Sequence, residues 1–341
     1  MIQRLRSAED RTLVDALRLG SLPARLAEVD LGALFGRAER HGLAGILHDR
    51  CHDAGVVLPV DLERSIAARG AARACDHAAH LDMLHRIDAA LGAAGLRAVA
   101  LKGALLAERL YPRPSARPTT DIDLLVGEHA LELAARALES LGYTPSTAAS
   151  EEHFRRAGHH LHLLHPAAPC IELHFHAYRG FGRILRSEPL VGRSRAVPGF
   201  ASVRVLRPED ELLYLAVHAA GHRFMRLVWL YDLLLLLQQL DDDAPALARE
   251  RARETGMSRP LAWALELVEE LFGAPARSDR QALAHRHKLL STITEEPSGS
   301  LARSATRFAY TIALCEDLRS MRTYAHAALE YRLGGLVHPK Q

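Results

Sequence analysis

The chain has 341 residues, of which 48% are hydrophobic and 25% charged, with a formal net charge of +2. It is long enough for a substantial core, and its composition is that of an ordinary globular protein. The near-neutral balance excludes a general basic field for nucleic acid, so any anion must be held by a local cluster.

Cys51, Cys75, Cys170 and Cys315 lie far apart, with no CxxC. This argues against a disulfide framework or a cysteine-based zinc site and suits a reducing cytoplasm, the expected location. The first residues, MIQRLRSAEDRTL, lack the apolar core of a signal peptide. The most apolar run, LVWLYDLLLLL at 227–237, is too short to span a bilayer and contains Asp232. It reads as a buried helix, with no membrane span expected.

In chain order, residues 1–93 read as a helical region. A first helix has Ser7 as N-cap candidate and ends at Gly20. A second runs over 31–53. A third covers 61–93, with Leu81, Leu84, Ile87, Ala90 and Leu91 on one stripe. The texture changes at residue 94. Leu96–Leu101 reads as a short buried strand, and Gly103 opens a helix to about Leu110. YPRPSARPTT is a loop, DIDLLV (121–126) a second strand, and GEHALELAARALESLGY an amphipathic helix closed by Gly142. HHLHLLH and CIELHFHAY, joined by PAAP, read as a hairpin. From residue 206 the pattern is helical to the end. Pro208 sits at N1 with Glu209 and Asp210 in the first turn. Loops are expected at 241–245, 273–279 and 295–300. Three regions follow: 1–93 helical, a core at 94–205, and a helical domain at 206–341.

The residues with chemical potential cluster in the middle region. Asp121 and Asp123 are two apart on a strand and share a face. Such carboxylates repel, and a hard divalent cation relieves them. Alone, the pair also fits two unrelated acids at a solvated strand entry. In CIELHFHAY, Glu172, His174 and His176 share one face and Ile171, Leu173 and Phe175 the other. If this strand lies beside DIDLLV, Glu172 completes a three-carboxylate set able to hold two metal ions. LKGALL delivers Lys102 and Gly103 to a helix start, where a phosphate can approach the backbone. Arg117 and Arg113 precede the aspartates, and arginine matches phosphate in a bidentate way.

Taken in order, LKG, LYPRP, RPTTDIDLLV, HHLHLLH, IELHFHAY and LLYLAVHAAGHRFMRLVWLYDLLLLL resemble a nucleotidyltransferase family of the polymerase-β-like superfamily. The resemblance covers roughly residues 80 to 240. It implies an α+β fold: a small mixed β-sheet nucleotidyltransferase core between N-terminal and C-terminal helical regions. It implies Asp121, Asp123 and Glu172 as the metal-binding and catalytic carboxylates, with Mg2+ or Mn2+ as cofactor and a nucleoside triphosphate as co-substrate. Lys102, Gly103 and Arg117 become triphosphate contacts, with His174 adjacent to Glu172. The phosphate turn departs from the wider superfamily: Lys-Gly-Ala stands where Gly-Ser or Gly-Gly is usual, and the serine contact is absent.

The implied reaction moves a nucleoside monophosphate to a small-molecule, peptide or protein acceptor and releases pyrophosphate. The charge balance argues against a long nucleic-acid substrate and leaves a tRNA end open. Two other readings stand beside it: a non-catalytic nucleotide- or partner-binding module of the same fold, and a metal hydrolase built on the histidines. His160 and His162 share a face, as do His174 and His176, and such a cluster could bind zinc or act as hydrogen-bond donors near an anion. His218 and His222 lie four apart on a helix without the glutamate of HExxH, and read as structural. Trp229 reads as core packing. Asp232 needs a buried partner, with His218 and Arg226 as candidates.

Overall fold

The computed structural model describes residues 8–18, 26, 29–146, 158–273 and 300–337. Ser7 and Gly20, the expected bounds of the first helix, lie outside the described residues, as do most of the loops expected at 273–279 and 295–300.

Helices α1 (Ala8–Leu17), α2 (Leu31–His41) and α3 (Ala44–Asp53) open the chain. The single helix expected over 31–53 is therefore two. Gly42 takes a left-handed conformation (φ 73°) and its N–H caps the carbonyls of Ala38 and Glu39, which ends α2. Helix α4 (Val60–Ala93) buries Met83, Leu84, Ile87 and Leu91 along its last turns. Then follow β1 (Ala98–Ala100), α5 (Ala104–Leu110), β2 (Asp121–Leu125), α6 (Leu131–Glu139), β3 (Thr144–Pro145), β4 (His160–Leu164) and β5 (Cys170–His174).

The strand expected to run on through His176 stops at His174. Its neighbours run out there: Val126 N–H donates to the His174 carbonyl, and the His159 carbonyl accepts from both Phe175 and His176. The chain leaves the sheet and forms a separate hairpin of β6 (His176–Gly180) and β7 (Arg183–Arg186). His176 thus belongs to another sheet from Glu172 and His174. Helix α7 (Ser187–Arg193), β8 (Arg195–Ala196) and β9 (Val203–Val205) complete the middle region. The rest is helical: α8 (Pro208–Gly221), α9 (Leu227–Gln239), α10 (Ala244–Thr255), α11 (Ser258–Phe272), α12 (Ser300–Leu314) and α13 (Leu318–Val337).

The main sheet has seven strands in the order β3-β4-β5-β2-β1-β9-β8. It is mixed: β2 runs parallel to β5 and β1 parallel to β9, and the other pairs are antiparallel. The fold is α+β, with helices before and after the sheet. Alternation along the strands sorts the two faces. Ile122, Leu124, Leu161, Leu163, Ile171 and Leu173 are buried in one cluster with Leu84 and Ile87 of α4 and Ala134 and Leu138 of α6. Removal of this apolar surface from water drives the layer together.

The helices on either side of the sheet in sequence share a second cluster, in which Leu13, Leu34 and Leu47 join Leu213, Leu230 and Leu261. Asp88 of α4 pins the sheet to the helix layer by accepting the backbone N–H groups of Ala201, Ser202 and Val203 at 3.1, 2.7 and 2.6 Å. Among the described residues no helix is long and apolar enough to cross a membrane.

Candidate active site

The polar face of the sheet is set by register. In the parallel pair β2/β5, Asp121 faces Cys170, Asp123 faces Glu172 and Leu125 faces His174. In the antiparallel pair β4/β5, His162 faces Glu172 and His160 faces His174. Side chains two apart share a face, so three adjacent strands bring Asp121, Asp123, Glu172, His174, His160 and His162 together. Lys102 joins them from the end of β1. The Leu101 N–H donates to the Asp123 carbonyl at 3.1 Å, which carries the β1–β2 pairing one residue further and sets Lys102 alongside.

The contacts are close. Lys102 Nζ lies 2.5 Å from Asp123 Oδ2 and 3.5 Å from Asp121 Oδ2. His174 Nε2 lies 3.2 Å from Asp123 Oδ1 and 3.5 Å from Glu172 Oε2. Asp123 is fully buried at its side chain, whereas Asp121 and Glu172 keep 25% and 22% exposure. Solvent and ligands therefore meet this face through Asp121 and Glu172.

The two aspartates titrate apart. Burial and the neighbouring Asp123 charge hold the Asp121 carboxyl above its ordinary value, against the pull of Lys102. Burial opposes ionisation of Asp123 as well, but Lys102 and His174 outweigh it and hold that carboxyl well below the usual range. Burial likewise works against the charge on Lys102, and Asp123 and Asp121 together more than restore it. His174 is raised despite burial by its bonds to Asp123 and Glu172. Glu172 is lowered despite burial by its bond to His174. Lys102 thus stands where two close carboxylates need a cation. Asp123, Glu172 and His174 each offer a donor atom within 4.8 Å of the others, with the Asp121 carboxylate alongside, a set of donors that could hold a divalent cation.

Gly103 follows Lys102 with φ 78° and ψ −138°, a region open essentially to glycine alone. A Cβ there would stand 3.3 Å from Thr119 Cγ2. Gly103→Ala is expected to lower stability by about 1–3 kcal/mol, read as a lower urea midpoint. An unchanged midpoint would mean that the turn has another conformation.

Arg117 is paired within the fold. Its Nε and Nη2 both donate to Asp232 of α9, at 2.8 Å each, and the pair is almost wholly buried. Tyr111 Oη donates to the same carboxylate at 2.6 Å. Asp232 is thus satisfied by Arg117 and Tyr111, not by His218 or Arg226, and two of the Arg117 guanidinium nitrogens are taken up by this carboxylate. A buried carboxylate and a planar fork match each other's geometry, and neither tolerates isolation. Arg113 is bidentate to Asp49 of α3 at 3.0 and 2.5 Å. It also lines a cavity of about 490 Å3 with Asp49, Tyr111 and Tyr231, which includes none of the sheet-face carboxylates.

His218 and His222, read from the sequence as structural, feel the charge of the sheet-face lysine. Burial lowers both, and the Lys102 charge acts on each of them. Trp229 packs edge-on to His218 at 5.4 Å between ring centroids and tilted to His222 at 5.0 Å. Spacing alone put His218 and His222 on one helix face; only the tertiary fold turns that face toward Lys102.

The imidazoles of His159 and His160 fix an acid sensitivity. Burial and then His174 push His159 down to about 2 and His160 down to about 4. Unfolded histidine titrates near 6.5, so below that pH the unfolded chain takes up protons that the fold refuses. Stability contributed by neutral His159 is complete above about pH 6.5 and is lost as pH falls, at about 1.4 kcal/mol per pH unit. For metal-free protein, the unfolding free energy should fall between pH 6 and pH 4.5, and His159→Gln should flatten that slope by about one proton. An identical slope in the variant would contradict the burial of a neutral ring.

A family model described as "Uncharacterised nucleotidyltransferase" matches residues 27–273. No curated protein matches the chain.

Proposed function

The chain belongs to this nucleotidyltransferase family, and from that premise we propose that it transfers a nucleoside monophosphate from a nucleoside triphosphate to a small-molecule, peptide or protein acceptor, on the face formed by Asp121, Asp123 and Glu172. The observation that supports this reading most is the parallel register of β2 and β5. It sets Glu172 beside Asp123, with Lys102 balancing the aspartates.

Asp121, Asp123 and Glu172 are the residues assigned to hold Mg2+ or Mn2+. When bound, the ion supplies charge neutralisation for the triphosphate and in-line alignment of the reacting oxygens. Lys102 and the side-chain-free Gly103 are assigned to the phosphates, Lys102 as a point charge. His174 is a positioning residue, because its one Nε2 orients both Asp123 and Glu172. An acceptor oxygen or nitrogen attacks the α-phosphorus, the bond from that phosphorus to the α,β-bridging oxygen breaks, and pyrophosphate leaves. Glu172, a partly exposed carboxylate paired with Asp123 across the strands, takes the acceptor's proton.

A binder without transfer is the second reading. It is favoured by the absent serine of the phosphate turn and by the tight hold of Lys102 on Asp123. Calorimetry with each nucleoside triphosphate, with and without Mg2+ or Mn2+, tests the shared step. Binding should require the metal and weaken at least about tenfold in Asp121→Asn. Metal-independent binding would remove the transfer reading and leave the binder, and no binding for any triphosphate would remove both. Binding without pyrophosphate release in the presence of a metabolite extract would favour the binder.

A further inference from the structure

Beyond the aspartates, the same sheet face carries donors of a softer kind. His160 and His162 stand two apart on β4 and project together. Their Nε2 atoms lie 2.9 Å from each other, and His162 Nε2 lies 3.9 Å from Glu172 Oε1. One donor atom from each of the three residues lies within 4.8 Å of the others. Two imidazole nitrogens bound to one tetrahedral ion at about 2.0–2.1 Å stand roughly 3.3–3.4 Å apart. The imidazole pair is within about half an ångström of that spacing, so side-chain torsions suffice to close the set. A lone imidazole pair needs no third donor, yet Glu172 meets it from the neighbouring strand.

We propose that His160, His162 and Glu172 form a site for a borderline divalent transition ion, with zinc as the representative, which shares Glu172 with the hard-cation role assigned to Asp121, Asp123 and Glu172 and adds the imidazole donors that role does not use. Imidazole nitrogen suits zinc and its transition-metal neighbours, whereas magnesium takes oxygen. Three protein ligands leave one tetrahedral position for water or another ligand. Both strands are interior to the sheet, β4 between β3 and β5, and β5 between β4 and β2. The donors therefore sit on rigid backbone, as a preorganised metal site requires. The His162 and Glu172 side chains keep 36% and 22% exposure, which gives an ion a way in. The proposal does not rest on nucleotidyl transfer, since metal content is read directly.

The test uses the full chain, stripped with chelator, loaded with zinc and dialysed against a weak competitor. Bound zinc is then counted by plasma mass spectrometry. About one zinc per chain is expected in the wild type, with at least about a tenfold loss of affinity in His160→Ala/His162→Ala. Asp121→Asn should retain it. X-ray absorption of the zinc-loaded wild type should show imidazole nitrogen in the coordination shell, a readout that survives even if the double variant fails to fold. The proposal is overturned if the wild type retains no zinc, if the folded double variant retains as much as the wild type, if Asp121→Asn loses the ion, or if the spectrum shows oxygen ligands alone.

Discussion

Asp123→Asn should lower nucleotidyl transfer by about 10²–10³-fold or more, the scale expected when one preorganised electrostatic contact is removed from a reacting centre. Asparagine keeps the size of the side chain and an oxygen for His174, so the sheet register should survive. What it removes is the charge that Lys102 approaches at 2.5 Å. Two consequences follow from the geometry. The mostly buried Lys102 ammonium loses its nearest partner, which costs stability of about 3 kcal/mol if nothing moves to replace it. The repulsion that holds the Asp121 carboxyl up is also relieved, so Asp121 should titrate lower than in the wild type. Transfer is therefore compared at a temperature where far-ultraviolet circular dichroism shows the variant folded. The double variant Asp121→Asn/Asp123→Asn should be little worse than the single one, because groups acting as a unit are not additive. Wild-type transfer in the folded single variant would remove Asp123 from the chemistry.

The largest stability effect is expected at the buried Arg117–Asp232 pair. Asp232→Ala should lower the unfolding free energy by about 3–5 kcal/mol, because it leaves a guanidinium buried without a counter-charge. The Tyr111 hydroxyl loses its acceptor as well, at a further cost of about 1–3 kcal/mol. Arg117→Met/Asp232→Leu should recover most of the loss, since apolar groups of similar volume carry no desolvation penalty. Urea unfolding of the single and double variants gives the coupling directly. If Arg117→Met instead left stability unchanged and weakened triphosphate binding, the arginine would return to the phosphate role that the sequence suggested.

These outcomes bear on what was legible before the fold was known. The strand DIDLLV, the long helix ending at Ala93 and the buried helix over LVWLYDLLLLL follow from periodicity, which is a local property. The shared face of Asp121 and Asp123 follows from strand geometry alone. Glu172 required a guess that its strand lies beside DIDLLV, and the parallel register sets it directly opposite Asp123. Local pattern carried less where the backbone changes course. The break at Gly42 sits inside a helical period, and the alternation of CIELHFHAY runs unbroken across the point where the chain leaves the sheet. Long-range pairing was not legible at all. Arg117 meets Asp232 across 115 residues, and nothing in RPTTDIDLLV marks its arginine for that partner. Nor does LKGALL show that the Lys102 ammonium also lies beside both aspartates.

The most direct measurement follows separately labelled phosphates. Wild-type protein is incubated with Mg2+ or Mn2+, a small-molecule extract, and nucleoside triphosphate labelled at either the α- or the γ-phosphate. α-Label is expected in a new product and γ-label in pyrophosphate, both absent in Asp121→Asn/Asp123→Asn. Label from the γ-phosphate on the acceptor, or equal transfer by wild type and double variant, would contradict nucleotidyl transfer on this face.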